Sequence, residues 1–368
     1  MEKPLPNQLE EALIKGLEDG VYPGCVLVVG TRHDVLFEKA VGYACIESDR
    51  VLMDKDTIFD LASLTKPLAT ALAIMKLVDR GKIDLRMPIR EILGEELPDD
   101  KKGITIRQLL CHSAGLADYE AFYRKVGVER GQKAKAEVRR LILERSLECM
   151  PGTTVRYSDL GFMLLEWVVA LSSGVNLPDF VTRHFYGPLG LRRTFFQEVD
   201  SSRRFSEDEY AATEKCPWRG RVIRGYVHDE NAYVMGGYSG HAGLFSTGRE
   251  VYTLCASLAR HYHGERQDLL TSKVVREFFT RQPHPEGNTW ALGWDTPSET
   301  NSSVGKYFSK TSVGHLGFTG TSVWIDLDKD LIVVLLTNRI HPLRENQKIH
   351  SFRPYLHDVV MMAFEKAL

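Results

Sequence analysis

The 368-residue sequence is poor in paired cysteines: its six are scattered, with no C-x-x-C spacing. In a chain this long that pattern excludes a small disulfide framework and reads as free thiols in a reducing compartment. No apolar run approaches the roughly 20 residues of a membrane-spanning helix. The first residues, MEKPLPNQLEEALIKGLEDG, lack the basic start, apolar middle and small-residue cleavage site of a secretory leader. The expectation is a cytoplasmic protein with no membrane partner. Charge of neither sign dominates: 47 Lys and Arg stand against 49 Asp and Glu, a formal charge of -2. That balance leaves no electrostatic footprint for nucleic acid. There is also no G-x-S-x-G elbow, no Walker loop and no G-x-G-x-x-G, so nothing implies a nucleotide cofactor.

What remains is an ordinary globular composition, 43% hydrophobic and 26% charged. At roughly 150 residues per domain, the length points to about two units. Leu9, Leu13, Ile14 and Leu17 give residues 8–19 helical spacing, stopped by Gly20. CVLVVG and DVLFEKAVGYA read as an antiparallel hairpin. Residues 59–80 read as one buried helix ending at Gly81, and ITIRQLLCHSAGL as a helix ending at Gly115. Residues 119–148 read as charged, helical surface, with Arg139–Arg145 a solvated face. A buried helix is expected from about Leu160 to Leu171, and residues 201–230 are expected to be loop. A further helix is capped near Thr247. GHLGFTG, SVWIDL and LIVVLLTN read as strands, followed by a closing helix over 352–367.

Strands therefore lie at both ends of the chain and helices fill the middle. The fold class expected is α+β: an antiparallel sheet built from both termini and flanked by helices, with an inserted, mainly helical subdomain. Residues 1–80 and 285–368 would form the sheet part and 81–284 the insertion, with the active site at their junction.

Three motifs carry chemistry. Ser63 and Lys66, three residues apart, share one face of a helix. Ser63 lies near its N-terminus, where the dipole favours developing negative charge, and Pro67 fits the first turn. Burial should lower the Lys66 pKa, and a neutral amine beside a hydroxyl can activate serine without histidine. Ser303 and Lys306 repeat the spacing in a polar stretch without helix pattern, a chance match. Tyr157-Ser158-Asp159 precedes a buried helix; it could present a phenol into a cleft, or Ser158 or Asp159 could simply cap that helix. His315-Leu316-Gly317-Phe318 sits on a strand whose glycines permit close backbone approach, so that a backbone N–H could face a carbonyl oxygen. A bulged strand with an incidental histidine is the alternative. His228, Asp229 and His241 share one segment without H-x-x-x-H spacing, and are expected to fix a loop by hydrogen bonds rather than to hold a metal.

The order of the three motifs, with separations of 94 and then 158 residues, resembles the serine β-lactamase and penicillin-binding protein family. The likeness is greatest to its class C branch, with the esterases and D-amino peptidases of that fold. DLASLTKP, YSD and HLG supply the three boxes, and TIRQLLCHSAGL, PGTTVRYSDLGF and VHDENAYVMGGYSGHAGLFST support them. The resemblance implies Ser63 as the acylated nucleophile, with Lys66 and Tyr157 sharing proton transfer. It implies an oxyanion hole from the backbone N–H groups of Ser63 and Phe318. Asp159 stands where Asn often holds the acyl amide, His315 replaces the strand lysine, and Gly317 keeps the strand open. Leu316 lacks the hydroxyl that often helps hold a carboxylate, and Arg339 could restore positive charge or merely cap a strand end. These departures favour ester or peptide hydrolysis over efficient β-lactam hydrolysis. The partner implied is a small-molecule ester, peptide or β-lactam substrate; no cofactor, no metal and no particular oligomeric state is implied. The competing reading is a non-catalytic relative that binds a peptide or cell-wall fragment.

Overall fold

Both apolar runs, CVLVVG and LIVVLLT, are buried along their whole length. In the computed structural model, which describes residues 5–47, 50–94, 96–127, 130–300 and 302–365, they lie side by side at the centre of a sheet. The first forms β1 (Gly24–Gly30), followed by β2 (Val35–Cys45) and β3 (Val51–Leu52). The C-terminal region supplies β4 (Val313–Leu316), β5 (Ser322–Asp326) and β6 (Leu331–Thr337). The order is β3-β2-β1-β6-β5-β4, antiparallel throughout. Leu27 sits opposite Leu335 and Val28 opposite Val334.

Alternate side chains enter two different cores because a strand's side-chain period is two. Cys25, Leu27, Val29, Val333 and Leu335 meet Leu9 and Leu13 of α1 (Leu5–Glu18) and Phe352, Leu356 and Val360 of the closing helix. Val26, Val28, Val334 and Leu336 meet the larger core, which takes in the middle of the chain. Both faces of the central strands are covered, which is why these runs show no polar alternation.

The helices used below are α2 (Leu72–Asp79), α3 (Ile106–Leu110), α4 (Gln132–Glu144), α5 (Asp159–Ser173), α6 (Gly248–His263) and α7 (Ile349–Glu365). Thr247 caps α6 by accepting from the Glu250 N–H, as its sequence position indicates. Among the described residues no single helix is long and apolar enough to cross a membrane.

Four sequence expectations need correction, one of them that residues 201–230 are loop throughout, since Lys215–Cys216 pairs antiparallel with Arg221–Val222. Residues 59–80 are not one helix: Phe59–Asp60 is a short strand paired with Leu244–Ser246, and helical structure starts at Ala62. Asp60 causes the break, its carboxylate accepting from the N–H groups of Ala62 (2.9 Å) and His228 (2.6 Å). The helix after Thr105 ends at Leu110, because His112 turns left-handed (φ 58°) to place its ring against Tyr157. The Arg139–Arg145 stretch is solvated only in part: Glu166 of α5 is buried and pairs with Arg139 at 2.9 Å and buried Lys135 at 3.3 Å. Residues 128–129 of the charged stretch and 366–367 of the closing helix lie outside the described residues.

Candidate active site

The segment that carries Ser63 is held from several sides. Ala62 has φ 47°, a left-handed conformation that costs a non-glycine residue about 1–3 kcal/mol and persists only when its surroundings enforce it. Asp60 enforces it from one side. From the other, the turn after β4 is tied to the same backbone: Thr319 Oγ1 donates to Asp60 O at 2.8 Å and Thr321 Oγ1 to Leu61 O at 3.1 Å. Gly317 lies in this contact. A Cβ there would stand 2.6 Å from Leu61 O and run into the Thr321 hydroxyl, so glycine lets the strand end and the serine segment meet.

Behind Ser63, Lys66 opens a turn of π-helix that continues into α2 and is wholly buried. Its Nζ donates to Ser63 Oγ at 3.0 Å and to Asp159 Oδ1 at 2.7 Å. Asp159 is the first residue of α5, while Ser158 is its N-cap and accepts from the Gly161 N–H at 3.3 Å. The capping and cleft readings of Tyr-Ser-Asp are therefore compatible. Ser158 caps, Tyr157 faces Lys66, and the Lys66 Nζ lies 4.6 Å from the centre of the phenol ring. Tyr157 is cupped by His112 at 4.6 Å and Trp290 at 5.5 Å between ring centres, with His315 at 6.0 Å.

The electrostatics of this cluster follow from burial and one carboxylate. Burial would lower the Lys66 pKa, but Asp159 and Tyr157 outweigh it and the value is raised. The expectation of a lowered amine pKa is thus overturned, because an ion pair at 2.7 Å opposes desolvation. Tyr157 is raised chiefly by burial, against the pull of Lys66 and of hydrogen bonding to Lys66 and Ser63. The resting site therefore holds an ammonium, a carboxylate and a neutral phenol. His315 is pushed down to about 3 by burial and by Lys66, so it carries no charge near neutrality.

Ser63, Tyr157, Asp159, His315, Gly317, Phe318 and Arg339 all line one cavity of about 680 Å³. Among the described residues the N–H groups of Ser63 and Phe318 have no protein acceptor. Arg339 is buried rather than a surface cap; its Nε donates to Phe318 O at 3.0 Å and its guanidinium also reaches Asn346 O. His241 meets Asp229 at 3.0 Å on the same cavity wall, and His228 stacks on the Phe318 ring. The loop-fixing reading of these histidines fits those contacts. Glu230, also on the cavity wall, clusters with Glu214 and Cys216 at a spacing that could hold a metal, but Arg344 already pairs with both carboxylates.

Sequence reasoning missed His112 and Trp290, which make the aromatic wall, and Arg353, which also lines the cavity. His112 lay within a quoted segment, CHSAGL, but nothing in its spacing marked it.

A family model described as beta-lactamase matches residues 9–353. The chain belongs to the beta-lactamase family. It is 32% identical over 359 residues to a Salmonella agona protein named as a D-alanyl-D-alanine carboxypeptidase, covering 90% of this chain and 82% of that one. A Salmonella typhi protein of the same name matches equally. Among solved structures, EstCE1, a hydrolase with promiscuous acyltransferase activity, shares 22% identity over 97% of this chain and 98% of its own, with TM-score 0.78. The Bacillus halodurans penicillin-binding protein shares 21% over 97% and 100%, with TM-score 0.71. The fold is accordingly the β-lactamase/transpeptidase-like one, and this member of the beta-lactamase family is a serine hydrolase of esters or amides.

Proposed function

We propose that Ser63 is the nucleophile of an acyl-enzyme hydrolase directed at esters and short peptides rather than at β-lactams. The observation that carries this reading is the 3.0 Å contact of Lys66 Nζ with Ser63 Oγ, in a cavity where two backbone N–H groups lack acceptors. In the form of the site in which the Lys66–Tyr157 pair has lost one proton to solvent, Ser63 Oγ adds to the substrate carbonyl carbon and its proton passes to that pair. The N–H groups of Ser63 and Phe318 stabilise the resulting oxyanion. The pair then gives the proton to the departing alcohol or amine, leaving an ester on Ser63. Water, deprotonated by the same pair, releases the acid and restores the serine. Because Lys66 and Tyr157 interact, they titrate as a unit and their apparent pKa values belong to the pair.

Substrate preference is read from the strand. His315 is neutral and Leu316 has no hydroxyl, so β4 offers little to the carboxylate fixed beside a β-lactam ring. Lys66 engages Asp159 Oδ1, and the Asp159 carboxylate, unlike an asparagine amide, has no N–H to donate to an acyl carbonyl. The relatives named as D-alanyl-D-alanine carboxypeptidases support testing D-amino-acid peptides beside esters. The test compares p-nitrophenyl acetate, a D-Ala-D-Ala peptide and nitrocefin on one preparation, with Ser63→Ala as control. Ser63-dependent turnover of the ester or the peptide, well above that of nitrocefin, is expected. Nitrocefin as the best substrate, or turnover that survives Ser63→Ala, overturns the reading.

A further inference from the structure

Four acidic side chains line the cavity that holds Ser63: Asp159, Asp229, Glu230 and Asp295. Three of them have a basic partner. Asp159 pairs with Lys66, Asp229 with His241, and Glu230 with Arg344. Asp295 forms no ion pair among the described residues; its carboxylate accepts from the Thr296 N–H at 2.9 Å and from the Thr289 hydroxyl. The cation whose field reaches it, Arg281, directs its Nε–H at Asn288 O instead, at 2.6 Å. A carboxylate held away from water without a counter-charge is unfavourable, and a cation placed beside it relieves that penalty. Burial accordingly pushes the Asp295 carboxyl up to about 7.

Two backbone pairings fix where this carboxylate sits. The Asp295 N–H donates to Gly314 O at 2.7 Å and its C=O accepts from the Gly314 N–H at 2.9 Å, so Asp295 adds one rung outside β4, the edge strand. Within its own hairpin it stands opposite Trp290, and residues opposed across an antiparallel pair share a face. The Trp290 ring packs 5.5 Å from both Tyr157 and His315. Asp295 therefore belongs to the Tyr157 side of the cavity, from which the departing alcohol or amine receives its proton. Arg339 serves the other end: it holds Phe318 O, four residues beyond Gly314, which is roughly 13 Å of extended backbone.

A carboxylate without a counter-charge on a cleft wall attracts a cation and repels a second anion. Trp290 lines the same wall, and an indole ring is the aromatic group that attracts a cation most strongly. We propose that Asp295, with Trp290 beside it, binds a positively charged group on the leaving-group side of the scissile bond, so that the preferred substrates are esters or amides whose alcohol or amine portion carries a quaternary or protonated amine. This proposal rests on Ser63 as nucleophile and extends that reading to substrate class.

The experiment uses two thioesters of the same shape, acetylthiocholine and S-(3,3-dimethylbutyl) thioacetate, which differ by a quaternary nitrogen in place of a quaternary carbon. Both leave the same acetyl group on Ser63, so a difference in kcat/KM reports on the leaving group during acylation. Dividing each value by the rate of hydroxide hydrolysis removes the difference in intrinsic reactivity. At pH ~8, where the Asp295 carboxylate is ionised, the cationic thioester is expected to exceed the neutral one by roughly tenfold or more in the wild-type protein. Asp295→Asn, which keeps an acceptor for the Thr296 N–H, should bring that ratio toward one, and Asp295→Glu should retain part of it. A wild-type ratio at or below one overturns the proposal. So does a ratio that Asp295→Asn leaves unchanged, including a loss equal for both thioesters. The wild-type comparison stands even if the Asp295 variants do not fold. Turnover of the neutral thioester that survives Ser63→Ala would instead sink the underlying assignment of the nucleophile.

Discussion

Asp159 Oδ1 and Lys66 Nζ form a 2.7 Å ion pair inside the cleft, and the same ammonium reaches Ser63 Oγ at 3.0 Å. The lysine that would have to take up a proton is therefore stabilised in its charged form before any substrate arrives. Its neighbour Tyr157 is stabilised in its neutral form by burial. Activity should rise with pH as the Lys66–Tyr157 pair gives up one proton.

Removing the carboxylate tests this directly. Asp159 raises the Lys66 pKa, so Asp159→Asn lowers it and the pair loses its proton at lower pH. The acid limb of the kcat/KM profile should move toward lower pH. An unmoved limb, or one moved upward, would show that the ion pair does not set the working protonation state.

Lys66→Ala should lower kcat by roughly 10²–10⁴, the usual contribution of a general acid–base group. A loss below about tenfold would leave Lys66 a structural residue that holds Asp159 and Ser63 in place.

Gly317→Ala places a methyl group against Leu61 O and the Thr321 hydroxyl, where a backbone atom cannot easily yield. Overpacking of this kind costs about 1–3 kcal/mol. Since the contact joins the Phe318 turn to the Ser63 segment, kcat should fall along with the melting temperature. Wild-type kcat in a folded variant would contradict that coupling.

Asp295 borders the cavity, and burial raises its pKa to about 7. A raised folded-state pKa means stability that is full below the unfolded carboxylate range and lost as pH climbs through about 7. The loss is at most on the order of 4 kcal/mol. Asp295→Asn keeps an acceptor for the Thr296 N–H but removes the titration, so it should raise the melting temperature more at pH ~8 than at pH ~5. Equal shifts at both would exclude this role.

Much of this architecture was legible in the sequence because its signals are local. The unbroken apolar runs of β1 and β6 announced strands buried on both faces, and Thr247 and Gly20 marked helix limits by cap and stop chemistry. Ser63, Lys66 and Tyr157 were found by spacing and motif order, and the structure places them in one cluster. What escaped depends on contacts remote in sequence. The break at Asp60 requires His228, the left-handed turn at His112 serves a ring stack with Tyr157, and the raised Lys66 pKa requires a carboxylate 93 positions away.

The most direct test of the central claim is intact-mass and peptide mapping after treatment with a fluorophosphonate. The account predicts one covalent adduct, located on Ser63 and abolished in Ser63→Ala. An adduct on another residue, or one that persists in Ser63→Ala, would contradict it.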